Sequence, residues 1–281
     1  MSAPSKPVPI IIDTDIGDDV DDAYCLVLAA RWPEVELVAV TPCYLGTLLR
    51  AKLCRKLLDI AGAPHVPVFS ANREVHRAPQ LTWAEDVDWE PPEETAPEAL
   101  VRLASERPGE LTLVTIGPLT NIKHAAEIDP HFGRKYKRII AVMGALGEDP
   151  ANPPHEYNAR CDPEGARALF DLGADLVVAN VDVTSRARLT EPWMSRLRAV
   201  GQPWTDALVK LTELWGGQVP ILFDPMGLSC VVNRFCQFQP MRLKIDDEGR
   251  TVRVDGEPNC LMAVDGDVPG FLDWYVETVS K

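Results

Sequence analysis

Several things are scarce in this chain, and each absence narrows what it can do. No apolar run approaches the roughly 20 residues that a helix needs to cross a bilayer. The opening stretch "MSAPSKPVP" lacks the apolar core of a signal peptide. A cytoplasmic protein without membrane spans is therefore expected. Basic residues are outnumbered, 28 Lys and Arg against 42 Asp and Glu, for a formal net charge of −14. A surface this negative repels phosphate, which argues against nucleic acid or an anionic membrane as partner. Small-molecule chemistry fits better. The seven cysteines, at 25, 43, 54, 161, 230, 236 and 260, form no CxxC pair and sit mostly among apolar neighbours, so they read as reduced core thiols rather than zinc ligands. No internal repeat, low-complexity tract or linker divides the 281 residues, and a single domain over 1–281 is expected.

What is present is an alternation of two periodicities. The runs "PIIID", "VELVAV", "VPVF", "LTLVTIG", "RIIAVMG" and "DLVVANVDV" are β-branched, apolar and bounded by turn residues, as strands are. Helix-like stretches at 20–31, 47–61, 95–106, 118–127 and 163–171 lie between them. Strands apolar almost throughout, separated by helices, predict an α/β fold: a doubly wound, open, mostly parallel sheet covered on both faces. The acidic, proline-rich segment 86–97 predicts a surface loop. Beyond about residue 237, "FQPMRLKIDDEGRTVRVDGEP" predicts two short strands around a "DDEG" turn, and 267–279 a final helix.

The first strand runs into "DTDIGDDVDD", six aspartates in the ten residues from Asp13 to Asp22. In a doubly wound sheet, ligands lie beyond the carboxyl ends of the strands, and this loop occupies such a place. The dipole of the following helix tolerates some of the charge. Yet unit charges about 4 Å apart cost on the order of 4 kcal/mol at an effective dielectric near 20. Converging carboxylates then need a cation or must take up protons, and oxygen-only donors favour Ca²⁺ or Mg²⁺ over zinc. The bland alternative is a solvated acidic loop with one N-cap. An EF-hand fails on spacing: counted from Asp13, glycine falls one position early, and Tyr24 stands where the closing glutamate is needed. A DxDx(T/V) phosphoaspartate motif fails because Gly17 holds the Thr/Val position.

Four segments in order carry a resemblance: "DTDIGDDVDDA" at 13–23, "TIGPLTNI" at 115–122, "EYNARCDPEGA" at 156–166 and "FDPMGL" at 223–228. Together they resemble the inosine/uridine-type, Ca²⁺-dependent nucleoside N-ribohydrolases, with two extra residues before the final "DDA". The resemblance implies a Ca²⁺ ion at the bottom of the pocket, with Mg²⁺ as the alternative, contacting the ribose diol and the attacking water. It implies Asp15, Asp22 and Asp224 as ligands, with Thr120 adding its backbone carbonyl. Asp15 is also the implied catalytic base. Implied ribose contacts are Asp21 (or Asp19, given the insertion), Asn152, Glu156 and Asn158. Asp162 followed by Pro163 reads separately as a helix N-cap and N1 pair. The implied reaction is hydrolysis of the N-glycosidic bond to free base and ribose through an oxocarbenium-like centre.

The chain departs from the family pattern where the base would sit. Phe223 stands where many relatives place a His that protonates the leaving base. Of the five histidines, at 65, 76, 124, 131 and 155, His76 and His155 are the loop candidates to replace it. The alternative is aromatic stacking by Trp83, Trp89, Trp215 or Phe223, which also suggests a purine preference; for Trp215, core packing on a helix is the bland reading. Leu45 and Gly46 replace the family's Gly-Asn or Gly-Asp pair, and no HGxxG-like loop is evident near residue 76. These departures leave two rivals: a metal-dependent nucleoside- or ribose-binding protein with weak or no hydrolysis, and a hydrolase of another N-ribosyl compound. The expected partner is a small ribonucleoside, in purine/pyrimidine salvage, with a homodimer or homotetramer implied by relatives.

Overall fold

The computed structural model describes residues 6–147 and 156–281, so Asn152 and His155 lie outside the described residues. The chain runs through β1 (Val8–Thr14), α1 (Asp21–Arg31), β2 (Val35–Pro42), α2 (Leu48–Ile60) and α3 (Ala96–Glu106). Then come β3 (Thr112–Thr115), α4 (Thr120–Ile128), β4 (Arg138–Val142), α5 (Tyr157–Cys161), α6 (Pro163–Asp171) and β5 (Leu176–Ala179). The remainder holds α7 (Val181–Thr184), α8 (Glu191–Val200), α9 (Pro203–Leu214), α10 (Phe223–Ser229), β6 (Cys236–Met241), β7 (Leu243–Ile245), β8 (Thr251–Arg253), β9 (Cys260–Gly266) and α11 (Val268–Val279). Among the described residues, seven strands form one sheet in the order β2-β1-β3-β4-β5-β9-β6. Every pairing is parallel except that of β6 with β9. This is the expected doubly wound α/β architecture.

β1 shows why helices cover both faces. Ile10 and Ile12 enter one apolar cluster with Tyr24, Leu53, Leu208, Met226 and Phe271, from α1, α2, α9, α10 and α11. Ile11 enters a second with Leu100, Ile122 and Leu169, from α3, α4 and α6. Successive strand side chains point to opposite faces, so a strand buried on both is apolar throughout.

Three segments differ from expectation. In "VPVF" only Val68 bridges to β2, at Val40, because Pro67 has no N–H with which to extend a ladder. "DLVVANVDV" leaves the sheet at Ala179, where the Asn180 side chain accepts the Val183 N–H and starts α7. The "DDEG" turn does close the β7–β8 hairpin, but residues 237–241 belong to β6, on the sheet edge beside β9.

The strand order reverses at β1, since the chain leaves it for β2 on one side and returns to β3 on the other. Loops beyond such a switch point frame a crevice. Asn121 pins it: its side-chain amide donates to Asp13 Oδ2 at 2.7 Å and to the Pro42 carbonyl at 3.1 Å. The Thr41 hydroxyl donates to the same Asp13 oxygen at 2.8 Å. The first aspartate of the cluster is thus a strut joining β1, β2 and α4, and burial raises its pKa to about 6 despite these bonds. Asn121→Ala should cost about 1–3 kcal/mol or more by leaving a buried acidic group short of a donor. A lower urea midpoint at unchanged slope is the expected readout.

Candidate active site

A cavity of about 470 Å³ opens beyond the carboxyl ends of β3, β4 and β5, with Ile116, Val142 and Val181 in its wall. The acidic loop lies along it through Asp15, Asp18, Asp19, Asp21 and Asp22. Asp21 and Asp22 sit in the first turn of α1, and Asp224 in that of α10. One carboxylate oxygen of each lies within 4.8 Å of the others. The two turns are stitched together: the Asp224 N–H donates to Asp21 Oδ2 at 3.1 Å, and the Thr14 hydroxyl to Asp22 Oδ1 at 2.5 Å.

The three aspartates are at most 4% exposed. Burial first, and then repulsion from neighbouring carboxylates, pushes their pKa values well above the ordinary 3.8. Asp15, lining the same cavity, is raised to about 7 by burial, with the Arg50 guanidinium pulling the other way. Among the described residues no basic side chain offsets the charge of the trio. The donor set fits a hard cation, because oxygen ligands standing about 2.3–2.6 Å from one ion come this close to one another.

Other expected site residues separate into those at the cavity and those away from it. Glu156, Asn158, Trp215 and Phe223 line it with Asp224. Glu156 accepts N–H groups from Gly144, Asn158 and Ala159 at 2.7–3.0 Å. Asn158 gives its side-chain amide to the carbonyls of Ile116 and Val142. Thr120 does not line the cavity. As the first residue of α4 its carbonyl points into that helix's own i to i+4 ladder, and its hydroxyl accepts the Tyr44 N–H at 3.1 Å. The cavity-lining residue of that motif is Ile116, and Gly117 allows the approach, since a Cβ there would stand 2.7 Å from Asp15 Oδ1. Trp83 is also elsewhere, its ring lying 4.4 Å beneath the Lys56 ammonium, and Trp89 packs on the core. His76 does not line the cavity but meets it through Asp18, with Nε2 3.1 Å from Asp18 Oδ1.

The sequence model of the inosine-uridine preferring nucleoside hydrolases matches residues 10–273. The chain belongs to that family. This nucleoside hydrolase, a glycosidase acting on N-glycosyl compounds, is 29% identical to the pyrimidine-specific ribonucleoside hydrolase RihA of Enterobacter sp. (strain 638), over 98% of each chain. It is 33% identical to uridine nucleosidase 1 of Arabidopsis thaliana, over 66% of this chain and 60% of that one. A plant nucleoside hydrolase, PpNRh1, superposes with a TM-score of 0.88 at 25% identity, covering 98% of this chain and 99% of that one. A purine-preferring ribonucleoside hydrolase from Gardnerella vaginalis has the same fold, with a TM-score of 0.81 at 24% identity and coverage of 97% and 98%.

Two features of this nucleoside hydrolase escaped the motif reading. Tyr157, between the two expected ribose contacts, lines the cavity and stands edge-on to Tyr44 with centroids 6.5 Å apart. Tyr44 and Leu45 hold left-handed φ angles of 60° and 52°, a strain of about 1–3 kcal/mol each, with the Tyr44 N–H held by Thr120 and the Leu45 carbonyl by the Asn72 amide. Arg50 is the second, a wholly buried cation beside the acidic loop. Its only sequence signal was a basic residue on the apolar stripe of Leu53 and Leu57.

The raised carboxyl pKa values have a definite sign. Protons held in the fold and lost on unfolding stabilise the metal-free protein fully below the ordinary 3.8, and that contribution disappears as pH rises through about 7 for Asp15 and through the raised pKa values of the trio. The melting temperature of chelated protein should therefore fall between about pH 5 and pH 8, and added Ca²⁺ should raise it more at the higher pH. A flat profile with no Ca²⁺ effect would show that these groups neither hold excess protons nor bind the ion.

Proposed function

We propose that this chain is a Ca²⁺-dependent nucleoside N-ribohydrolase that releases free base and ribose, with a preference for purines. The observation that carries it is the buried all-oxygen trio beside Asp15 at one end of a cavity of nucleoside size. Asp22 and Asp224 would hold the cation, with Asp21 beside them placed to meet both the ion and a ribose hydroxyl. Mg²⁺ is the alternative ion. A bound divalent ion would supply positive charge for the diol and lower the pKa of water. Asp15, raised to about 7, accepts the water's proton near neutral pH.

Cleavage builds positive charge on the ribosyl carbon, and fixed negative groups around it lower the barrier. Glu156 is such a group, held rigid by its three backbone donors. Asn158 has given both amide hydrogens to the carbonyls of Ile116 and Val142, which leaves its Oδ1 as the group to accept a hydroxyl. Asp19 also lines the cavity and is the alternative to Asp21 as a ribose contact, and Asn152 is a further proposed contact.

Phe223 removes the acid expected at its position, so departure of the base relies on the rings around it. Trp215, Phe223 and Tyr157 all line the cavity, and stacking on more than one ring suits a bicyclic base better than contact with a single ring does. His76, backed by Asp18, is the described histidine best placed to give a proton. Among the described residues no helix is long and apolar enough to cross a membrane. Nucleoside salvage in the cytoplasm is the proposed setting.

The test is release of free base and reducing sugar from a panel of purine and pyrimidine ribonucleosides, with and without chelator. Chelator-sensitive release, faster for purines, is expected. Trp215→Ala should raise KM for purines more than for pyrimidines. Asp15→Asn should lower kcat about 100- to 10,000-fold with the circular dichroism spectrum unchanged, and near-normal turnover by that variant would refute the assigned base.

A further inference from the structure

Arg50, in the first turn of α2, is the largest of the wholly buried side chains, and the reaction as described above does not use it. Its Nη1 donates to the backbone carbonyls of Asp15 and Ile16, the latter at 2.9 Å, and its Nη2 pairs with Asp18 Oδ2 at 2.8 Å. The other Asp18 oxygen meets His76, and Gln80 donates to the carbonyls of Asp18 and Asp19 at 3.4 and 2.7 Å. The β1–α1 loop is therefore gripped at successive residues from α2 and from the 76–80 segment. Gly17, at φ 116°, makes the turn between the gripped positions, packed so closely on Leu81 that a Cβ would lie 2.4 Å from it.

A guanidinium is costly to bury unless its fork is matched. Here the fork takes two consecutive carbonyls and one carboxylate. Those carbonyls orient the peptide planes on the C-terminal side of Asp15 and thereby the direction in which its side chain leaves the backbone. The loop carries like charges that repel one another, so its path needs an opposing hold.

We propose that Arg50 is a positioning residue: its fork sets the β1–α1 loop so that Asp15 faces the cavity and Asp18 ties that loop to His76. The proposal rests on the hydrolase reading above. Lysine could replace the charge but not the fork, so Arg50→Lys separates positioning from neutralisation. Calcium calorimetry and steady-state kinetics on the wild type, Arg50→Lys, Asp18→Asn and the double variant, with thermal melts to establish folding, test it. Arg50→Lys should weaken Ca²⁺ binding and lower kcat at saturating Ca²⁺ by about 10- to 100-fold, with KM changing less than kcat. Asp18→Asn should lower kcat less, and the double variant should be no worse than Arg50→Lys, because both break one clamp. Folded Arg50→Lys protein with Ca²⁺ affinity and kcat within about twofold of wild type overturns the proposal. If Arg50→Lys does not fold, Asp18→Asn decides alone, and unchanged kcat overturns it. Wild-type protein that binds Ca²⁺ but releases no base contradicts the hydrolase reading instead, and the calcium titrations still decide the role of Arg50.

Discussion

Repulsion among carboxylates buried at the end of a parallel sheet is the constraint around which this molecule is arranged. Asp21, Asp22 and Asp224 converge within 4.8 Å without a basic partner among the described residues. Elsewhere the same charge is managed by ordinary means. Asp13 is held by Asn121 and Thr41, Asp18 by Arg50 and His76, and Glu156 by three backbone amides. The contrast separates acidic groups that serve the fold from those left to serve a ligand. A protein gains nothing in stability from leaving buried carboxylates unpaired, so the trio makes physical sense as a site that something else completes.

The nearby side chains divide along the same line. Residues that look catalytic in the motifs are partly structural: the Asn158 amide ties together the ends of β3 and β4, and Glu156 is the N-cap of α5. This double use stiffens the pocket, because groups facing the sugar are fixed by hydrogen bonds that do not depend on it.

Much of this was legible beforehand, for identifiable reasons. Helix α6 falls on the expected residues, and α1, α2, α3 and α11 within one residue at either end, because apolar periodicity and capping are local signals. Asp224 was within reach only through the family motif, since nothing local says that it meets α1. Thr120 and Trp83 misled for a shared reason: a motif and a composition give residue type but not direction, and direction comes from the helix ladder for one and from Lys56 for the other. Arg50 left only a faint signal because two of its three partners are backbone carbonyls, which every residue carries.

The hydrogen bond between Asp224 and Asp21 spans 203 positions of chain. During synthesis the acidic loop emerges early, while its partner from α10 is still unmade. A nascent chain therefore exposes like charges that cannot yet be brought together, and closing so long a loop precedes any reward for it. A cation held at this point would therefore report that both helices, and the strands between them in the chain, are in place.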